Sequence, residues 1–160
     1  MLFSYRLVRL IESHADVLAT GLEKKVMSSE YVNSFRHIPA HELRERVYEI
    51  YKHLGDWLLG RDQEDIEQRY REIGARRASQ NVPLPEVIHA IVLTKENLWD
   101  FLKSEAVLDR AIEIMGELEL LQMLEQFFDR AIYFAAVGYQ EQAEHLRQQE
   151  RQQEHALAVG

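Results

Sequence analysis

The chain has 160 residues, of which 46% are hydrophobic and 29% charged, with a formal net charge of −8. This is enough apolar material for one folded domain and too much for a disordered chain. The negative balance repels a phosphate backbone and no stripe of Lys and Arg reverses it locally, so nucleic acid is not an expected partner. With no cysteine there is no disulfide framework, thiolate zinc site or cysteine nucleophile.

The opening MLFSYRLVRLIESHADVL carries Arg6, Arg9, Glu12 and Asp16 inside its apolar stretch, which breaks the run that a signal peptide or membrane span requires. A cytoplasmic protein with no membrane partner is expected. Three prolines and seven glycines punctuate the sequence, and apolar residues recur at spacings of three and four nearly everywhere. The pattern predicts an all-α fold, a single bundle of about five to six helices.

The first helix is expected from Leu2 to Met27, with Leu7, Leu10, Ile11, Val17, Leu18 and Leu22 on one stripe before Ser28 and Ser29 interrupt it. After Pro39, AHELRERVYEIYKHLGDWLLG places Leu43, Val47, Ile50, Tyr51, Leu54, Trp57 and Leu58 on a common face and stops at Gly60. A third helix opens with Asp62, Glu64, Asp65 and Glu67 at its positive end. It runs through Arg69, Arg71, Arg76 and Arg77 toward its negative end. NVPLPEV starts the fourth, since Pro83 and Pro85 are tolerated only around a first turn, and Leu84, Val87, Ile88, Ile91, Leu98, Trp99 and Leu102 follow.

From about Val107 to Tyr139 the pattern is one long or once-broken helix with Gly116 as the possible break. Beyond Tyr139, EQAEHLRQQERQQEHALAVG keeps good helix formers but loses its apolar residues. The expected division is therefore a helical sensor or interaction domain over 1–140 and a polar helical extension or frayed tail over 141–160.

Chemistry-bearing residues are sparse. A carboxylate-bridged di-iron bundle needs two Glu-x-x-His pairs on facing helices, and the chain has one, Glu86 and His89. Ser28, Ser29, Ser34, Ser79 and Ser104 sit in polar, cap-like contexts without the strained glycine elbow of a nucleophile. The reading calls for no enzyme activity, no cofactor and no metal. A haem sensor is the alternative: His89 in VIHAIVL and His53 in IYKHLGDW are the histidines with apolar neighbours. Trp57, Tyr70, Trp99 and Tyr133 would join them in lining a small-molecule cavity, or would simply fill a core.

In RYREIGARRASQNVPLPEVIHA, Arg69, Arg76 and Arg77 are candidates for contact with an anion or a partner. The competing reading pairs Arg69 with Glu72 and Arg76 with Glu67, and uses Gly74 for a close approach of two helices. The face with Phe127, Phe128, Ile132 and Ala135 offers more apolar area than one neighbouring helix covers and is expected to contribute to a self-association surface.

Arg69-Tyr70-Arg71-Glu72-Ile73-Gly74, then Val82-Pro83-Leu84-Pro85-Glu86-Val87 and Leu98-Trp99-Asp100-Phe101, resemble the N-terminal sensor domain of RsbT co-antagonist (RsbRD-type) proteins, and LIESHADVLA fits the same pattern. The resemblance covers about residues 7–140. It implies an input module of bacterial signalling, related to stressosome subunits whose sensor domains look like haemless globins and dimerise. A homodimer, a signalling-protein partner and a terminal helix leading toward an output domain are what it adds.

Overall fold

The computed structural model describes the backbone of residues 2–58, 63–104 and 111–159, and the side chains of residues 8–51, 54, 66–104 and 121–159. Among these residues all regular structure is helical: α1 Leu2–Ser13, α2 Ala15–Ser28, a 3-10 stretch Glu30–His37, α3 Ala40–Leu58, α4 Gln63–Ser79, α5 Leu84–Ser104 and α6 Ala111–Val159. The expected all-α bundle with a long C-terminal helix is what forms. The candidates His53 and Trp57 fall on side chains outside the described residues.

The first expected helix is divided at His14, whose φ of −111° and ψ of 18° leave the helical region. The cause is local competition for a carbonyl. The Leu10 oxygen accepts from both the His14 backbone N–H, at 3.1 Å, and the imidazole Nδ1, at 2.8 Å. The ring is then held against Phe101 at a centroid distance of 5.3 Å. His14 is thus packed against α5 where α1 meets α2.

The turn between α4 and α5 explains the NVPLPEV motif. Asn81 takes a φ of 60°. Val82 N–H reaches back to Arg77 O at 3.0 Å while Asn81 N–H reaches Ala78 O at 3.1 Å, a Schellman closure with Asn in the position glycine usually takes. Val82 is buried beneath it. Pro83 then stops α4 and its carbonyl accepts the first amides of α5, from Glu86 and Val87.

α6 is a single helix of 49 residues, with no break at Gly116. Leu124, Phe127, Phe128, Ala131 and Ala135 of its middle section are buried in the core. The face expected to self-associate is therefore internal for Phe127, Phe128 and Ala135, because α1, α3, α4 and α5 together cover what one helix would not. Ile132, half-buried, keeps some open surface. From Arg147 onward every described side chain is exposed, so the helix leaves the bundle there and stays helical.

α4 and α6 meet through glycine. A Cβ on Gly74 would lie 1.9 Å from Ala135 O, and one on Gly138 would lie 2.1 Å from Arg71 O. Backbone rests on backbone at this crossing, which only glycine permits. Tyr139 closes the lower end by donating its hydroxyl to Val82 O at 2.6 Å.

Candidate functional site

A cavity of about 50 Å³ opens between α2, the 3-10 stretch, α3, α4 and α5. Its walls are mainly Leu22, Val26, Val47, Ile73, Val87 and Ile91, the inward positions of amphipathic helices that do not fill the space where they converge. Tyr70, Thr94, Arg46 and Arg77 also reach it. The volume is several times the roughly 10–15 Å³ that one water requires.

Arg77 is the unusual wall residue, with 4% of its side chain exposed. Its guanidinium lies over the Phe35 ring, 5.4 Å from the centroid. NH1 donates to Gln80 Oε1 at 2.6 Å and stands 3.8 Å from Glu42 Oε1. Gln80 Nε2 in turn donates to that same Glu42 oxygen at 3.2 Å. Burial lowers the Arg77 pKa to about 10, with Glu42 opposing the shift and Arg76 and Arg46 adding to it. The group stays charged at neutral pH and is held by a carboxylate, an amide and a ring face.

A second polar cluster joins three helices beside the cavity. Tyr51 donates its hydroxyl to Thr94 O at 3.0 Å and accepts from Asn97 Nδ2 at 3.1 Å, while the same amide donates to Leu18 O at 2.8 Å. Thr94 turns its own hydroxyl back onto Ala90 O at 2.8 Å. Desolvation pushes the Tyr51 phenol well above its ordinary range, with the Asn97 hydrogen bond opposing it. Tyr70 is pushed the same way, again first by burial, and packs edge-on to Phe127 at 5.8 Å.

The remaining candidates lie elsewhere. His89 packs against the exposed Tyr31 ring, tilted by 60° with centroids 5.1 Å apart, and does not line the cavity. The Oε1 atom of Glu86, its Glu-x-x-His partner, accepts from Ser34 N–H at 3.1 Å. Trp99 donates Nε1 to Glu125 Oε1, while Lys95 holds the other oxygen of that carboxylate, both at 3.2 Å. Tyr133 is 63% exposed and touches Phe134 edge-on. Among the described residues, Tyr70 is thus the pocket candidate that reaches the cavity, and Arg77 the arginine candidate that does; Arg69 and Arg76 are half-buried outside its lining.

The ion pairs also differ from the expected ones. Arg71 binds Glu67 at 3.0 Å and Glu141 at 3.3 Å and lies 5.8 Å from the Phe134 centroid, so it ties α4 to α6. Glu72 accepts from Gln68. Glu42, Gln80, Thr94, Asn97 and Tyr51 were not singled out as site residues from sequence. Thr94 and Asn97 did leave a signal, as polar residues on the stripe formed by Val87, Ile91 and Leu98. Glu42 left none, since an acid in the first turn of a helix is ordinary.

Among the described residues no group of three His, Asp or Glu side chains is placed to hold a metal ion, and no helix is long and apolar enough to cross a membrane. No curated protein and no solved structure matches the chain. A family model does, that of the RsbT co-antagonist protein RsbRD N-terminal domain, over residues 10–154. That span runs from the end of α1 through the Schellman turn, the cavity and the glycine crossing into the exposed part of α6, and the chain belongs to this family of stressosome-type signalling domains.

Proposed function

We propose that this domain is a non-enzymatic signalling input that works as a homodimer, binds a protein partner or small ligand, and reports the event through α6. The supporting observation is the path of α6. It is a single element of 49 residues, buried at Phe127, Phe128 and Ala135 and solvated from Arg147 onward. A packing change inside the bundle is thereby carried to an exposed end as a displacement of one rigid rod. The crossing at Gly74 and Gly138 makes α4 the element to which that rod responds most directly, because backbones in contact cannot move independently. The net charge of −8 favours a protein partner over nucleic acid.

Native mass spectrometry of the freshly purified chain, with light scattering over a range of concentrations, tests the reading. A dimer is expected. A strict monomer that retains and binds nothing would overturn it.

A further inference from the structure

We infer that the cavity beside α4 is a binding site for a small monocarboxylic acid with a compact apolar tail, its carboxylate taken by Arg77 and its tail by the walls. The inference deepens the input-domain reading and rests on it for the consequence of binding, not for the binding itself.

Two guanidinium side chains, Arg46 and Arg77, line the cavity, and no carboxylate does. Arg46 already has Glu49 at 3.6 Å. Arg77 is nearly sealed from bulk water, and its two polar neighbours, Gln80 and Glu42, both approach the same nitrogen, NH1. Nε and NH2 have no hydrogen-bond partner among the described residues. A guanidinium offers five N–H donors in a planar fork suited to a carboxylate, and here most of that fork is unused at the edge of an apolar space. An uncharged ligand would leave those donors unmet. A large polar anion would place its bulk against Leu22, Val26 and Val87. A short acid meets both demands, and the volume of about 50 Å³ limits its tail to a small branched or cyclic group.

Glu42 is the internal competitor for such a ligand. At 3.8 Å it is a loose ion pair, and it reaches Arg77 from outside the cavity lining. An incoming carboxylate would share or displace it. The same helix face links the site to the transmitter: Tyr70, Ile73 and Arg77 border the cavity, while the adjacent Gly74 rests on α6.

The test uses isovalerate as probe and isoamyl alcohol, the same tail without the charge, as control, followed by methyl NMR of the intact chain. Isovalerate should saturably shift the methyls of Val26, Val47, Val87 and Ile91, with the alcohol at least about tenfold weaker, the value of one charge-assisted hydrogen bond. Glu42→Gln should tighten isovalerate binding by about tenfold on the same basis. Ala90→Leu, which adds volume to the wall, should abolish it. Arg77→Met should also abolish it, and if that variant fails to fold, the Glu42 and Ala90 variants decide.

Equal binding of acid and alcohol, an unchanged affinity in Glu42→Gln, or no saturable shift would each overturn the inference. A failure of this kind leaves the dimer measured by mass spectrometry untouched. Conversely, binding of isovalerate to a strict monomer would establish the site while refuting the dimeric input.

Discussion

Substituting alanine for the crossing glycines tests the closest contact in the molecule. At Gly74 the new methyl would meet Ala135 O at 1.9 Å, and at Gly138 it would meet Arg71 O at 2.1 Å, where real contacts begin at about 3.0 Å. Each obstacle is backbone, so no side-chain rotation relieves it, and α4 and α6 must separate by about 1 Å along much of their shared length. Overpacking of this kind costs about 1–3 kcal/mol, and with rigid atoms on both sides the upper end applies. Alanine regains about 0.5–1 kcal/mol through its better helix propensity. The net loss is then about 2 kcal/mol per variant, a fall in Tm of about 4–8 °C for a chain of this size. Because either methyl forces the same separation, Gly74→Ala/Gly138→Ala should lose clearly less than the sum of its parts. Circular dichroism melting measures all three variants. A single variant as stable as the parent, or strictly additive losses, would mean that the two helices do not touch at these glycines.

Two further outcomes follow from burial. Phe128→Asp, at a position 1% exposed, removes a core ring worth about 3–5 kcal/mol and buries a carboxylate in its place. The chain should be unfolded or nearly so at room temperature by circular dichroism, whereas a stable variant that only loses self-association by light scattering would make this face the interface after all. In alkali, Tyr51 and Tyr70 hold their protons above the ordinary phenol value of 10.0, where the unfolded chain has released its own, so their contribution is present below pH 10 and is lost above it. Arg77 works in the opposite sense, since its pKa falls to about 10 from 12.5 and the unfolded chain binds that proton more firmly in between. Two phenols outweigh one guanidinium, so Tm should drop above pH 10, with the phenolate absorbance of the buried Tyr51 and Tyr70 appearing only as the chain unfolds. In Tyr51→Phe/Tyr70→Phe the drop should disappear.

Periodicity was sufficient for the helices and for their inward faces. Leu43, Val47, Tyr51 and Leu54 of α3, and Val87, Ile91, Leu98 and Leu102 of α5, are buried as their spacing requires. It did not show which helix covers which face, and Phe127, Phe128 and Ala135 looked like surplus apolar surface because the number of helices around α6 is a tertiary property. The division at His14 was hidden for a different reason: the competition for the Leu10 carbonyl depends on a rotamer that no pattern encodes. The cavity was half legible. Tyr70 and Arg77 were both in view, but as members of separate groups, one aromatic and one basic. Seven residues apart, they share one face of α4, but the walls opposite them come from α2, the 3-10 stretch, α3 and α5, whose convergence no motif marks.

The placement of Arg77 gives the family's helical motifs a physical sense. In a free helix, two arginines in the last turn would both point to solvent and answer the negative end of the dipole. Here the Schellman closure draws Val82 into the core and fixes the last turn of α4 so that Arg77 faces inward over Phe35 while Arg76 stays partly solvated. Desolvating that charge is costly, and apolar side chains of similar size in place of a buried ion pair are often neutral or stabilising, so stability alone does not account for Arg77. Gly74 and Gly138 add a crossing tighter than packing alone demands. A buried cation at the cavity and a glycine contact to a protruding helix, set on the same side of α4, favour the change of state that the proposed input role requires over a merely stable bundle.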